Sequence, residues 1–283
     1  MKTPVILTLD GSTRTCGAAL LRATAPHASR CTDWEVLAER HENDNRNQAK
    51  LLLGMAEAML QEVGLAPVDL SAIVVGTGPG TFTGVRIAVA TARALGLALH
   101  VPVTGISTLS ALTASALRAL APGDAPRTVV PVVDARRSQV FYGVYHRGDS
   151  GREWVRSEAF AACDPVELAE RLVGGARPQG AILVVTEDAE LVAGLGGTIE
   201  VRTRQVDAVG LVMGQSLLVE PGEGPEGDRL APWLAGAFEG RVDGIPELVK
   251  PIYVRSPDAD IHITKMRDPW SEPSASPAKR EAR

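Results

Sequence analysis

Residues 76–86 read GTGPGTFTGVR. They follow a short apolar run, Ala72–Val75, and lead into a long one, Val85–His100. Four glycines between a predicted strand and a predicted helix let the backbone turn sharply and let another group approach it closely. The N-terminus of such a helix presents free N–H groups that attract anions. The segment therefore predicts a strand–loop–helix unit of an α/β fold, in which the loop either contacts a ligand or packs the helix tightly on a sheet.

Two common phosphate-binding motifs do not fit this loop. A Walker A loop needs a Lys after its last glycine, and none follows here. The dinucleotide fingerprint needs a different glycine spacing, which Pro79 interrupts. The loop is therefore neither of these nucleotide sites.

The opening pattern of the chain returns in its second half. The apolar run Val5–Leu9 ends at Asp10, and the apolar run Val129–Val133 ends at Asp134. Each is followed by a turn and a second apolar strand, Cys16–Leu21 in the first half. Further strands are predicted at Trp34–Ala38, Ala72–Val75, Pro102–Ile106, Gln139–Tyr145, Trp154–Ala159 and Ile182–Val185, and helices at Asn47–Gly64, Val85–His100, Thr108–Leu120, Pro165–Val173 and Val206–Val219. Alternating strands and helices predict a mixed α/β fold, and the repeated hairpin predicts duplication into two lobes.

The predicted boundaries follow from composition. We expect a first lobe at residues 1–106 and a second at 107–255. Residues 220–229 are rich in Pro, Gly and acidic side chains, which is typical of a solvated linker. Residues 256–283 form a C-terminal extension, and we expect disorder from about residue 271 because little there can be buried.

Charge and cysteine content exclude several classes of function. The 283 residues carry 29 basic and 34 acidic side chains, a net charge of −5, without the basic stripe of a protein that binds RNA alone. Three scattered cysteines without a CxxC pair favour neither a zinc site nor a disulfide framework. The most apolar stretch carries Arg86 and Arg93, which disfavours a membrane span. We expect a soluble cytoplasmic protein that meets no membrane.

Several segments resemble one known family. Residues 76–86 resemble the GxGPGSFTGxR signature of the TsaB family. In the same order as in that family, LDGST at 9–13 resembles LDTST, PVTGISTL at 102–109 resembles IPVxGVSSL, and PIYVR at 251–255 resembles PxYLR. DAR at 134–136 with VFY at 140–142 resembles the family's second hairpin. The resemblance covers nearly the whole chain up to Arg255.

The resemblance implies a two-lobed, duplicated actin/Hsp70-like fold with ribonuclease H-like lobes, whose mixed sheets are flanked by helices. In catalytic relatives an Asp in each hairpin orients a metal, and Gly, Ser and Thr hold phosphates. Asp10, Ser12 and Thr13 are therefore candidate nucleotide-binding residues in a degenerate site. After Asp134 come Ala135, Arg136 and Arg137 without a glycine, which favours a structural role for that hairpin, with phosphate binding by the arginines as the alternative.

The resemblance also implies the function. TsaB is a non-catalytic subunit that binds and activates TsaD in forming threonylcarbamoyladenosine in tRNAs, next to the anticodon, and the TsaE ATPase docks on this heterodimer. TsaD carries HxxxH on the helix that aligns with Asn47–Gly64, where this chain has no His. We therefore expect no catalytic residue, no metal and no cofactor, and contact with tRNA only through the complex. Homodimerisation of the isolated chain is left open.

Two alternative functions remain within the superfamily. A stand-alone ATP-dependent phosphotransferase needs a Gly-rich phosphate loop in the second lobe. A metallopeptidase-like enzyme needs a metal motif, and a serine peptidase needs a Ser/His/Asp set. None of these is recognisable in the sequence.

Two helices are apolar over more of their circumference than the roughly 100° stripe of a surface helix. They are Asn47–Gly64 and Val85–His100, which in the family form a bundle with TsaD. The predicted interface residues are Leu52, Met55, Met59, Val85, Val89, Ala92 and Gly96. We expect Ala88 and Leu95 to face the chain's own sheet, so that Val89→Glu blocks pairing while the chain stays folded.

Overall fold

The computed structural model describes residues 3–24, 34–43, 48–121, 126–148, 154–174, 181–195, 199–206, 210–212, 218–219 and 249–254. The expected linker at 220–229 and the extension at 256–283 lie outside these residues.

The first sheet has five strands in the order β3-β2-β1-β4-β5. They are β1 (Val5–Asp10), β2 (Cys16–Ala23), β3 (Trp34–Glu42), β4 (Ala72–Gly76) and β5 (Val103–Ile106). β1, β2 and β3 pair antiparallel, and β4 and β5 continue the sheet parallel to β1. All six residues of β1 are buried, as expected for a central strand that is covered on both faces.

The second sheet repeats this order. Its strands are β6 (Thr128–Arg136), β7 (Gln139–Tyr142), β8 (Tyr145–Arg147), β9 (Trp154–Arg156), β10 (Ala161–Cys163), β11 (Ile182–Thr186), β12 (Ile199–Thr203) and β13 (Leu218–Val219). β10, β7 and β6 pair antiparallel, and β11 and β12 continue parallel to β6. The order β10-β7-β6-β11-β12 matches that of the first sheet strand for strand. The predicted duplication is confirmed, and β8, β9 and β13 are additions to the second copy.

Helices separate and cover the sheets. They are α1 (Gln48–Glu62), α2 (Phe82–Leu99), α3 (Thr108–Arg118) and α4 (Pro165–Gly174), with short 3₁₀ turns at Pro67–Asp69 and Ala189–Val192. α1 and α2 pack on the outer face of the first sheet, and α4 packs on the outer face of the second. α3 lies between the sheets and shares one core with both. The layers therefore run helix, sheet, helix, sheet, helix.

The middle helix shows how this central layer is stabilised. The Ser107 side chain accepts a hydrogen bond from Ser110 N, as predicted for an N-cap. The Ser110 hydroxyl lies 2.8 Å from the Tyr145 hydroxyl of β8. The Ser115 hydroxyl donates a hydrogen bond to Ala111 O. These buried hydroxyls therefore have hydrogen-bond partners, which avoids the free-energy penalty of burying an unpaired polar group. α3 thereby ties the second sheet to the first.

Helix α2 begins at Phe82 rather than at the expected Val85. Its N-cap is Thr81, so the last part of the glycine-rich segment is already helical. Its mean hydropathy of 1.4 and its length would suit a membrane span, and a third of that stretch is buried in the chain. Contacts of α2 with β4, β1, β5 and α1 bury part of this apolar surface.

Two expectations about the secondary structure of the second half are wrong. The helix expected at Val206–Val219 does not run to its end, since residues 210–212 are helical but Leu218–Val219 form β13 beside β9. The strand expected through Tyr145 breaks at Gly143, which turns β7 into β8. Residues 249–254 fall within the expected second lobe but contact the first sheet. Ile252 N donates to Thr77 O at 2.7 Å, and Val249 lies against Gly105.

Candidate functional site

Asp10, which the sequence predicts to bind a nucleotide, is buried in the chain and is not exposed to solvent. Its side chain is 1% exposed. The Ser12 hydroxyl lies 2.9 Å from both Asp10 carboxyl oxygens, and Ser12 N donates to Oδ2 at 3.4 Å. On the neighbouring strand a Cβ at Gly76 would collide with Asp10 Oδ1. The carboxyl group therefore lies in the sheet, between Ser12 and the bare backbone of Gly76.

Burial raises the pKa of the Asp10 carboxyl from an ordinary 3.8 to about 7. The hydrogen bond from the Ser12 hydroxyl lowers this pKa, while the negative charge of Glu187 raises it further. Near neutral pH the group is therefore protonated in much of the population. A protonated carboxyl is a poor metal ligand, because ligands bind in their deprotonated form.

The glycine-rich loop packs directly on this hairpin. Thr81 N donates to Ser12 O at 2.6 Å. A Cβ at Gly80 would collide with that same carbonyl oxygen, and a Cβ at Gly11 would lie 3.0 Å from Gly84 O. The Gly78–Pro79 peptide bond is cis. These contacts favour the packing alternative for the loop, because its glycines are where two backbones meet.

Glu187 is a residue that the sequence analysis missed. It follows β11, and its Oε1 accepts hydrogen bonds from the Thr13 hydroxyl at 2.9 Å and from Val206 N at 3.0 Å. It therefore links the first hairpin to the second sheet. Burial raises the pKa of this carboxyl, and the two hydrogen bonds lower it. The carboxyl ends of parallel strands commonly carry functional residues, so the acidic pair Glu187-Asp188 after an apolar strand was a usable signal.

The second hairpin is closed by its own side chains. Arg136 N donates to Asp134 Oδ1 at 2.7 Å, and the Arg136 guanidinium pairs with Oδ2 at 3.0 Å. Arg136, Arg137 and Ser138 all have positive φ, of 64°, 55° and 59°. The turn is therefore a tight two-residue connection of the kind that usually contains glycine. This geometry favours the structural role predicted for the hairpin.

Ser138→Gly is expected to stabilise the chain by about 0.5–1 kcal/mol, because glycine adopts positive φ without the steric penalty of a Cβ. The exposed Ser138 side chain loses little on removal. Urea denaturation of the two proteins measures the difference. Ser138→Ala keeps the Cβ and should show no gain; an equal gain from alanine would contradict the backbone explanation.

The two hairpins and β11 enclose a cavity of about 200 Å³. Its polar lining includes the hydroxyl residues Ser12, Thr13 and Thr81, the acidic residues Asp134, Glu187 and Asp188, and the basic Arg14. Typical small-molecule sites measure about 300–1,000 Å³, and three acidic residues against the single basic Arg14 disfavour a phosphate. Ser12 and Thr13 line the cavity, while Asp10 lies behind them. Nucleotide binding by these three residues stays a prediction.

The predicted interface residues lie in the chain's own core. Leu52, Met55 and Met59 of α1 and Val85, Val89, Ala92 and Gly96 of α2 are all buried, and the six with apolar side chains share the cluster with the first sheet. The expected orientation of α2 is wrong because the helix packs on α1 as well as on the sheet. Ala88 faces the sheet as expected, but the flank with Val89 and Ala92 is buried too.

The exposed side of these helices carries a different apolar set. Leu53 is 46% exposed and Leu97 is 52% exposed. On α2 the exposed residues near Leu97 are small, namely Ala90, Ala94 and Ala98, whereas on α1 Leu53 and Gly54 lie beside the exposed polar residues Lys50, Glu57 and Gln61. The seven predicted interface residues are buried in this chain, and their contact with a partner stays a prediction.

Known proteins share both the sequence and the fold. A family model described as "TsaD: tRNA N6-adenosine threonylcarbamoyltransferase" matches residues 35–179. The tRNA threonylcarbamoyladenosine biosynthesis protein TsaB of Bacillus subtilis is 35% identical over 140 residues, which are 50% of this chain and 54% of that protein. The Escherichia coli protein of the same name is 30% identical over 167 residues, 59% of this chain and 65% of that protein. The chain belongs to the TsaB (YeaZ-like) family.

Solved structures of TsaB-family proteins extend the match over most of the chain. YeaZ from Pseudomonas aeruginosa has a TM-score of 0.62 at 25% identity, covering 88% of this chain and 99% of that one. A second structure from Pseudomonas aeruginosa, of a protein described as similar to peptidase YEAZ, has a TM-score of 0.62 at 27% identity, covering 89% of this chain and 100% of that one. The two-lobed, duplicated α/β fold with mixed sheets flanked by helices, as expected from the sequence, is therefore confirmed. The sequence match itself spans about half to two thirds of the curated TsaB relatives.

Proposed function

We propose that this chain is the non-catalytic subunit that binds and activates TsaD in forming threonylcarbamoyladenosine in tRNAs, next to the anticodon. In this proposal TsaE docks on the heterodimer, tRNA is reached only through the complex, and the complex works in the cytoplasm. The names of the relatives support the pathway. The observation that carries the non-catalytic role is the burial of Asp10.

Asp10 occupies the position from which a catalytic relative would orient a metal. Here its carboxyl is enclosed by Ser12 and Gly76 and has a pKa of about 7. In the second hairpin Asp134 pairs with Arg136 of the same turn. Two hairpin carboxylates that are buried or paired within the chain support a scaffold rather than a phosphotransferase.

The two alternatives have less support. An ATP-dependent phosphotransferase would have to place a triphosphate in a cavity of about 200 Å³ beside Glu187 and Asp188. A metallopeptidase would need a metal site, and the described ranges contain no group of three His, Cys, Asp or Glu side chains that could hold an ion. A peptidase is named in the description of one solved structure, and the phosphotransferase has no specific observation in its favour.

Reconstitution tests the proposal directly. TsaD of the same organism is supplied with threonylcarbamoyl-adenylate and tRNA, with or without this chain, and the modified nucleoside is measured by mass spectrometry after digestion. We expect modification only when both proteins are present, co-elution of the two, and no transferase, kinase or peptidase turnover by this chain alone. Robust turnover in a preparation free of TsaD would refute the non-catalytic role.

Leu97→Glu is expected to weaken binding to TsaD by at least about tenfold without unfolding the chain. A carboxylate at this exposed site is hydrated in the free protein but must be desolvated in an apolar contact. Binding is measured by isothermal titration calorimetry, after circular dichroism has shown native folding.

The matched variant is Val89→Glu. Val89 is 2% exposed, so a charge there costs several kcal/mol of folding free energy and should leave little folded protein. This replaces the expectation that Val89→Glu stays folded. A folded Leu97→Glu protein that binds TsaD as tightly as wild type would place the contact elsewhere.

A further inference from the structure

Three side chains at the N-terminal end of α2 form an exposed cluster, which we name the Arg86 clamp. The Arg86 guanidinium carbon lies 3.6 Å from the centre of the Phe82 ring, and Arg86 Nε donates to the Tyr253 hydroxyl at 2.9 Å. The two rings are 5.8 Å apart. Phe82 is 44% exposed and Tyr253 is 49% exposed. Aromatic side chains and arginine are the residue types enriched in binding hot spots.

The clamp is fixed from two directions. Phe82 and Arg86 are four residues apart on α2, so they lie on one face of the helix. Tyr253 comes from the segment whose Ile252 N donates to Thr77 O at 2.7 Å. The guanidinium is therefore oriented before any partner arrives, which reduces the ordering cost of binding.

Arg86 keeps donors available for a partner. Its Nε is bonded to Tyr253, and in the described part of the chain Nη1 and Nη2 make no hydrogen bond or ion pair. These two nitrogens carry four N–H groups in a planar fork that matches two oxygens of a carboxylate or phosphate. The geometry thus fits an oxyanion approached from solvent.

We propose that the Arg86 clamp binds a carboxylate of the partner protein that docks on α2. This rests on the proposed function, in which that partner is TsaD. Positions 86, 90 and 97 share one face of α2, and Ala90 and Leu97 are exposed there. The clamp therefore adjoins the apolar contact as a charged anchor. A protein carboxylate is favoured over an RNA phosphate because this chain carries a net charge of −5.

Zero-length cross-linking of an Arg86→Lys variant tests the proposal. A water-soluble carbodiimide activates a carboxyl group, the lysine amine displaces the activating group as a urea, and an amide joins the two chains. With TsaD at saturating concentration, we expect mass spectrometry to find a peptide with Lys at position 86 joined to an Asp or Glu of TsaD. Arg156→Lys is the matched control. Arg156 also stacks on a ring, 4.1 Å from Phe160, but on the second sheet, and it should give no such product.

Binding constants complete the test. We expect Arg86→Lys to weaken binding to TsaD by about tenfold, because lysine cannot make the planar fork, and Arg156→Lys to change it by less than about twofold. Tyr253→Phe keeps the ring and removes the hydroxyl that orients Arg86, so it should weaken binding by about threefold. It serves as the second variant if Arg86→Lys does not fold.

The outcomes separate the two proposals. If wild type pairs with TsaD while Arg86→Lys binds equally well and gives no cross-link, the clamp proposal is wrong and the proposed function stands. If wild type does not pair with TsaD, both fail. If the variant pairs normally but the complex loses affinity for tRNA, the ligand is a phosphate and the carboxylate proposal is overturned.

Discussion

Asp10→Asn is expected to stabilise the folded chain by about 3–4 kcal/mol at pH 8 and to leave its stability at pH 4 nearly unchanged. The wild-type carboxyl must lose its proton above pH 7 while it is buried against Ser12 and Gly76. Asparagine has the same shape and stays neutral. Its amide can keep both the acceptor and the donor role toward the Ser12 hydroxyl.

The sign follows from the shift of the pKa. In the folded chain the pKa of Asp10 is about 7, and 3.8 is its ordinary value. Between these pH values the folded state binds more protons than the unfolded state, so wild-type stability falls as pH rises through this window. Each pKa unit corresponds to about 1.36 kcal/mol, which gives the expected difference between the two proteins.

Urea denaturation at pH 4, 5, 6, 7 and 8 measures this profile. Asp134→Asn is the control, because Asp134 is partly exposed and paired with Arg136, and it should not stabilise the chain at any of these values. A constant difference between wild type and Asp10→Asn from pH 4 to pH 8 would mean that burial does not hold the proton on Asp10.

The Asp10→Asn variant also tests whether Asp10 has a chemical role in addition to its effect on stability. If the chain is a non-catalytic subunit, Asp10→Asn should activate TsaD as well as wild type does. A loss of modified nucleoside of about tenfold or more, in a variant more stable than wild type, would assign Asp10 a chemical role.

Gly80→Ala should destabilise the chain by about 3 kcal/mol or more, which corresponds to a fall in Tm of roughly 6–12 °C. The new methyl group would collide with the Ser12 carbonyl oxygen and lie 2.9 Å from the carbonyl carbon. The Ser12 backbone cannot move aside in the way that the end of a flexible side chain can. The hydrogen bond from Thr81 N to Ser12 O would be lost as the loop moves away.

Gly54→Ala is the matched control for this substitution. A Cβ at Gly54 meets no atom within 4 Å, and the residue lies exposed inside α1. Alanine should therefore stabilise the chain by about 0.5–1 kcal/mol through its higher helix propensity. Differential scanning calorimetry of both variants should show shifts of opposite sign; a tolerated Gly80→Ala would show that the loop does not need this close contact.

Local patterns predicted most of the strands and the duplication. The hairpins at Asp10 and Asp134 follow from apolar runs that end at an acidic turn, and the strand order of both sheets agrees with them. The start of α2 was placed three residues late because a segment with this many glycines looks like a loop. Its N-cap at Thr81 depends on docking to Ser12, and no local pattern encodes that contact.

The rotation of α1 and α2 about their axes was missed for a similar reason. Helical periodicity showed that α1 and α2 are apolar over most of their surface, but it could not show how they are rotated about their axes. The orientation is set by packing between the helices and the sheet, which buries Val89 and Ala92 and exposes Ala90 and Leu97. The role of Glu187 could not be predicted from the sequence, because its hydrogen-bond partners, Thr13 and Val206, are distant from it in sequence.

The position of residues 249–254 has a consequence for synthesis on the ribosome. Val249 belongs to the core under α1 and α2, and Ile252 N binds the end of β4 through Thr77 O, yet residues 107–248 lie between β5 and this segment. At elongation rates of about 5–20 residues per second that interval takes roughly 7–28 s. During this time all five strands of the first sheet have been synthesised, but the Val249 side chain is still missing from its core. The apolar gap that remains is a surface that a chaperone could cover until residues 249–254 have been added.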